Sequence, residues 1–264
     1  MIDIHTHILP KVDDGSPNLL ESIKMLQQAA EDGIEAIVCT PHILKNSDFE
    51  NEAMYIERFE ELQKLAQHEK IAIELYLGSE IYIQPDISFT SRLATLNNTG
   101  RYFLVEFPMS SIPRFVAEMF FQLITDGKTP IIAHPERNLG FLQHPELAYE
   151  FVYRGALLQL NAGSLRGHFG PEVKTVAELL IDHNLVHFIA SDCHNSQRRK
   201  CQLQKARFMV AERWNKTLAR QLFLENPRHI LEGNDFIASE PQPIVKPQNG
   251  PWKKFLNGFN KFWK

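Results

Sequence analysis

Nine side chains in this sequence could together hold metal ions, and they arrive in short motifs: HTH (His5, His7), DDG (Asp14 of Asp13–Asp14), TPH (His42), GSE (Glu80), VEF (Glu106), AHPER (His134) and SDCH (Asp192, His194). Imidazoles and carboxylates that converge without a counter-charge repel one another and lose hydration. Bound divalent cations remove that cost. A mixed His and carboxylate set that needs no thiolate suits zinc, manganese or iron. One ion takes about four to six ligands, water included, so nine donors call for two or three ions with a bridging carboxylate. Polynuclear sites of this kind favour hydrolysis of phosphate esters, because the metals acidify a bound water and brace the attacking and leaving oxygens. Phosphate also favours rigid cationic forks. Arg137 follows His134 by three residues, and Arg198 and Arg199 follow His194. Arg137 and Arg199 are the favoured pair.

These residues can meet only if the fold brings strand ends together. Short apolar runs alternate with stretches of helical period. The strand candidates are 2–7, 36–40, 71–78, 102–107, 130–134, 156–161 and 186–191. Runs such as AIVCT and HFIAS are apolar throughout, as expected of strands covered on both faces. Leu19, Leu20, Ile23, Leu26, Ala29 and Ala30 recur at helical spacing behind Pro17, with Ser16 as the expected N-cap. Helices are also expected over 51–67, 113–126 and 171–183. Seven strand–helix alternations predict a parallel sheet wrapped by helices, closed as a barrel related to the (β/α)8 type rather than open. Functional residues of such barrels stand at the C-terminal strand ends. Six of the seven candidate strands end in a His, Asp or Glu.

The 264 residues are 44% hydrophobic and 23% charged, with a formal net charge of −4. That composition describes an ordinary globular chain, and nothing in it attracts nucleic acid. Cys39, Cys193 and Cys201 are odd in number and irregularly spaced, so a reducing compartment is expected rather than a disulfide framework. The N-terminus lacks a basic region followed by an apolar stretch, so no signal peptide is expected. Residues 1–238 read as the catalytic domain and 239–251, with four prolines in SEPQPIVKPQNGP, as an extended linker. In residues 252–264, WKKFLNGFNKFWK, the aromatics fall on one helical face and lysines on the other. Such a tail could lie on a membrane surface, dock on a partner, or pack on its own barrel or a sister subunit in a homo-oligomer.

The seven motifs, in this order over residues 1 to about 235, closely resemble the PHP (polymerase and histidinol phosphatase) superfamily, and within it the bacterial capsular and exopolysaccharide tyrosine-protein phosphatases. The resemblance implies a distorted (β/α)7 barrel with three divalent ions, usually manganese, with iron or zinc as alternatives. It implies that His5, His7, Glu80 and Asp192 hold one ion. Glu80, Glu106 and His134 would hold a second, with Glu80 bridging, and Asp14, His42 and His194 the third. Asp14 rather than Asp13 is taken as the ligand by motif position. Arg137 and Arg199 match the phosphate-binding arginines, and with Glu80 and Asp192 they form the expected catalytic set. The implied substrate is phosphotyrosine on a tyrosine autokinase that controls polysaccharide polymerisation and export, in the cytoplasm or at the inner face of the cell membrane. A metal-bridging hydroxide would attack phosphorus in line, without a covalent enzyme intermediate. Tyrosinate, with an unperturbed pKa near ~10, leaves with little help. His168 could protonate it or touch substrate.

Other readings remain open in the residues. Cys193–Arg199, CHNSQRR, fits C-x5-R, the pattern of thiol-dependent tyrosine phosphatases. That chemistry needs a phosphate-cradling loop of backbone N–H groups, and HNSQR has no glycine to form one. An amidohydrolase would want a lysine at a mid-barrel strand end, and none stands there. A histidinol phosphate or other small phosphomonoester phosphatase of the same superfamily, or a non-catalytic metal-binding regulatory subunit, are the further alternatives.

Overall fold

The computed structural model describes residues 1–235 and 237–245. Its strands are β1 (Ile2–Thr6), β2 (Ala36–Cys39), β3 (His42–Ile43), β4 (Glu74–Leu77), β5 (Glu80–Tyr82), β6 (Tyr102–Glu106), β7 (Thr129–Ala133), β8 (Leu157–Asn161) and β9 (Phe188–Ala190). They form a three-stranded sheet, β1-β2-β4, and a six-stranded sheet, β3-β5-β6-β7-β8-β9, with every pairing parallel. β2 and β3 are one stave interrupted at Thr40–Pro41, where proline has no N–H for the ladder. β4 and β5 are a second stave interrupted at Gly78–Ser79. Hydrogen bonds cross the gap, from Gly78 N to Cys39 O (2.9 Å) and from Glu80 N to Pro41 O (3.0 Å). The ring closes where Thr6 bridges Cys193, with His7 N donating to Cys193 O and Asp192 N to His5 O, both at 2.9 Å. The result is the distorted (β/α)7 barrel the motifs imply.

The helices are α1 (Leu19–Glu31), α2 (Asn46–Phe49), α3 (Glu52–His68), α4 (Val116–Thr125), α5 (Leu139–Gln143), α6 (Glu146–Tyr153), α7 (Ala162–Leu165), α8 (Pro171–Asp182), α9 (Gln204–Arg213), α10 (Lys216–Arg220) and α11 (Asn226–Leu231). The cap of α1 differs from expectation. Asn18, not Ser16, takes the N-cap, accepting from Glu21 N at 3.0 Å. The Ser16 hydroxyl is buried and donates to Asn18 O instead, which leaves Pro17 outside the helix.

Side chains alternate between two cores, as the period of a strand requires. The outer one holds Ile37, Cys39, Phe103, Val105, Leu158 and Ile189 against the helices. The inner one holds Ile2, Ile4, Ala36, Val38, Tyr102, Leu104, Ile131, Phe188 and Ala190, closed by Ile230 and Leu231 of α11. These inner rows continue toward the strand C-termini, so His42, Glu80, Glu106, Gln159, Asn161 and Asp192 fall on the barrel's inside. Beyond α11, Gln242 N donates to His183 O (2.8 Å), Asn184 Nδ2 donates to Glu240 O (3.2 Å), and Ile244 packs on the outer core. Residues 246–251 of the expected linker and the whole 252–264 tail lie outside the described residues. Among the described residues, no helix is long and apolar enough to cross a membrane.

Candidate metal centre

Three of the nine donors reach the barrel mouth through backbone irregularity. On β1, plain alternation would set His5 and His7 opposite Ile2 and Ile4, facing outward. The β1–β2 register shifts between Asp3 and Thr6, and this bulge turns both imidazoles inward. On β7, His134 would likewise face outward after Ala133. Its backbone is left-handed (φ 31°, ψ 53°), which swings the ring toward Glu80. Asp192 is left-handed too, at φ 53°. Such conformations cost about 1–3 kcal/mol each and persist where surrounding contacts impose them.

Glu80 stands at the centre. Its Oε2 lies 3.2 Å from His5 Nε2, 3.2 Å from His7 Nε2 and 3.0 Å from His42 Nδ1. Its Oε1 lies 3.0 Å from His134 Nε2, which is 3.7 Å from Glu106 Oε1. Asp192 Oδ1 approaches His5 and His7 Nε2 at 3.7 and 3.6 Å and His194 Nδ1 at 3.5 Å. Asp14 Oδ1 lies 3.5 Å from His42 Nε2 and 3.4 Å from His194 Nε2. All nine expected donors therefore meet at one mouth. The tightest clusters are His5–His7–Glu80, His42–Glu80–Glu106 and His7–Asp14–His42–His194, each with ligand atoms within 4.8 Å of one another. His134 faces the Glu80–Glu106 pair as a further donor, and His7 adds to the Asp14 group.

The surrounding hydrogen bonds decide which way the lone pairs point. His5 Nδ1 faces Gln159 Oε1 at 2.8 Å, and the Gln159 amide nitrogen donates to Asn161 Oδ1 at 3.0 Å. His7 Nδ1 faces Asp13 Oδ2 at 2.7 Å. Each Nδ1 thus has an acceptor beside it, which leaves each Nε2 facing the centre, the arrangement of metal-ligating imidazoles. Those two Nε2 atoms stand 3.2 Å apart and face the same carboxylate oxygen. His42 Nδ1 and Glu80 Oε2 are buried, and neither has a hydrogen bond of acceptable angle. Nitrogens and a carboxylate oxygen packed this way need positive charge among them, and the donor set fits divalent metal.

Titration behaviour agrees. Burial pulls the His7 pKa down, but Asp13 and Glu80 outweigh it and hold it well above its ordinary value. Burial also opposes the His5 and His42 imidazolium forms, yet Glu80 raises both. Glu80 is held well below the carboxylate range despite burial, by His5, His134 and His42. Burial and the nearby Glu80 raise Glu106. Asp192 is held low against burial by His5, His134 and Arg199. His194 falls to about 4 through burial and the neighbouring His7. The carboxylates demand positive charge, which protons or divalent ions can satisfy.

Asp192 also anchors the two favoured arginines. Its Oδ2 accepts from Arg137 Nη1 (2.8 Å), Arg199 Nη2 (2.6 Å) and Asn161 Nδ2 (2.6 Å). The Arg137 guanidinium lies 4.4 Å over the Phe169 ring. Asp13 fastens the Asp14 loop by accepting from Gly15 N (2.9 Å) and His42 N (3.1 Å). The motifs left the roles of Gln159, Asn161 and Asp13 unassigned. Their signal was the polar pair two apart in LLQLN, an otherwise apolar strand.

The thiol pattern fails on geometry. Cys193 is fully buried. The loop's amides are engaged internally: His194 and Asn195 N donate to Arg199 O, Ser196 N to Glu21 Oε1, and Gln197, Arg198 and Arg199 N to Asn195 Oδ1. No nest of N–H groups is left for a phosphate. His168 is exposed in the loop after α7, and burial, Arg166 and Lys205 lower its pKa, which disfavours the imidazolium form.

Residues 1–232 match the model of a family described as capsular polysaccharide synthesis, CpsB/CapC. The chain belongs to the CpsB/CapC family. Among this family's members, tyrosine-protein phosphatase YwqE of Bacillus subtilis is 37% identical over 250 residues, covering 93% of this chain and 97% of that protein. Tyrosine-protein phosphatase CpsB of Streptococcus agalactiae is 31% identical over 242 residues, covering 89% and 99%. A crystal structure from work on B. subtilis YwqE and Streptococcus pneumoniae CpsB, described there as unique metal-dependent tyrosine phosphatases, superposes with TM-score 0.87 at 36% identity and covers 93% of this chain and all of that one. The histidinol phosphate phosphatase of Lactococcus lactis shares the fold, with TM-score 0.50 at 17% identity over 84% of this chain and 95% of that one.

Proposed function

We propose that this CpsB/CapC member is a metal-dependent tyrosine-protein phosphatase of capsular or exopolysaccharide synthesis, acting on a phosphorylated tyrosine autokinase. One observation carries the reading: nine His and carboxylate donors, with Glu80 at their centre, meet at one barrel mouth, and two arginines meet on the outer oxygen of Asp192 beside them. His5, His7, Asp14, His42, Glu80, Glu106, His134, Asp192 and His194 would hold three divalent ions, manganese in our reading. When bound, those ions supply an acidified water and neutralise charge on the phosphoryl oxygens.

The chain's own residues do the positioning. Asp13 and Gln159 hold His7 and His5 with Nε2 facing the centre. Arg137 and Arg199 grip the equatorial phosphoryl oxygens, and Asp192 and Phe169 hold those forks in place before substrate arrives. A phenolate with an unperturbed pKa near ~10 departs without a strong acid. Two treatments test the reading on a phosphotyrosyl peptide and an aryl phosphate. A chelator should abolish hydrolysis and manganese should restore it, while Cys193→Ser should keep most of the rate. Activity that survives metal removal but not Cys193→Ser would overturn the assignment. Elemental analysis of the active protein should find three equivalents of metal per chain.

A further inference from the structure

Beside the metal centre, between the α7–α8 loop and the β9–α9 loop, lies an open cavity of about 640 Å³. Five of its lining side chains are cations: Arg166, Arg198, Arg199, Lys200 and Lys205. Among the described residues, no Asp or Glu lines it. Among the described residues only Arg199 of these five has a carboxylate within ion-pair distance, and that carboxylate is Asp192. Elsewhere several exposed arginines are paired, as Arg213 is with Glu178, Arg220 with Glu225 and Arg228 with Glu35. The chain as a whole is acidic, with 32 Asp and Glu against 28 Lys and Arg. This pocket is therefore a local concentration of unneutralised positive charge, and a walled concavity of one sign attracts the other.

The cavity also shares walls with the site. Arg199 lines it and reaches Asp192 Oδ2. Phe169 lines it and carries the Arg137 guanidinium on its ring. A peptide whose phosphotyrosine sits between Arg137 and Arg199 has its neighbouring residues within reach of these walls. Those neighbours follow at about 3.3–3.6 Å per residue along an extended chain. We propose that the cavity binds an anionic side chain flanking the phosphotyrosine, a carboxylate or a second phosphotyrosine, and so selects acidic substrate sequences. The inference rests on the phosphatase reading above and adds its sequence preference.

Fluorescence anisotropy tests it on the full chain, with peptides carrying a non-hydrolysable phosphonate in place of the target phosphotyrosine. Three flanks are compared: glycine and serine, glutamates, or a second phosphonate residue. The wild-type protein should bind the anionic-flanked peptides about tenfold more tightly than the neutral one, with a gap that shrinks as salt rises. The two anionic arms identify which source binds better. Arg166→Glu with Lys205→Glu should close the gap while leaving the neutral peptide's affinity and aryl phosphate hydrolysis unchanged. Equal wild-type affinity for all three peptides, or a gap that survives the double variant, overturns the proposal. Failure of the phosphatase reading would register separately, as no turnover of any phosphotyrosyl peptide by the manganese-loaded protein, and the binding comparison would still decide the cavity's role.

Discussion

Asp13 sits against His7 without being among the nine donors, and its carboxylate oxygen, 2.7 Å from Nδ1, turns Nε2 toward the centre. Asp13→Asn keeps the shape and an oxygen to accept from His7 Nδ1, but removes the charge that makes the ring a stronger donor. Metal affinity should fall about 10–100-fold, measured by calorimetric titration of the metal-free protein, with the melting temperature of that protein little changed. Equal affinity in wild type and variant would show that Asp13 only fastens the loop. Eight of the donors stood out in the sequence because each lies at or just past the end of an apolar run, where a barrel puts its chemistry; Asp14 followed from its motif position alone. The residues that aim them were less legible. Gln159 and Asn161 act through hydrogen bonds to partners more than twenty residues away, and nothing local to LLQLN says which partners those are. Asp13 and Asp14 are adjacent and identical in type, and only the path of the loop separates their tasks.

At the scale of elements, the loop from β1 to α1 is bent tightly onto the strand it leaves. A Cβ on Gly15 would lie 2.1 Å from His7 O and 2.5 Å from His7 Cβ, distances no packed atom tolerates. Gly15→Ala should therefore push the loop outward and carry Asp13 and Asp14 with it. The expected result is loss of most activity on aryl phosphate and of part of the bound metal by elemental analysis, while the circular dichroism spectrum stays that of the wild type. Retention of full activity would mean the loop can relax elsewhere. The positions of strands and of the longer helices follow from hydrophobic period, and the sequence shows them well. The bulge in β1 does not. Two imidazoles at i and i+2 share a face by simple alternation, but which face depends on a register shift set by the neighbouring strand. Helix α9 escaped the same reading because half of QKARFMVAER is polar or charged and it buries only Ala206 and Val210.

At the scale of the whole molecule, acid should weaken the fold through His187 as well as through the metal centre. His187 is buried and its Nδ1 accepts from Leu158 N at 3.1 Å. Burial lowers its folded pKa from 6.5 to about 4. Between those values the unfolded chain binds a proton that the folded one refuses, so stability is full above pH 6.5 and is lost as pH falls toward about 4. The loss should approach roughly 3 kcal/mol. Denaturant unfolding of the metal-free protein at pH 7 and pH 4.5, compared with His187→Asn, isolates it. An identical pH slope in both proteins would assign the acid sensitivity to other groups. Closure of the barrel has a different consequence, in time rather than in energy. The opening stave is completed only by the closing one, where Thr6 meets Cys193. On the ribosome, the histidines made first must wait for nearly two hundred codons to be translated before Asp192 and His194 join them. A nascent or truncated chain that stops short of this point can carry most of the donors and still be unable to turn over a phosphate ester.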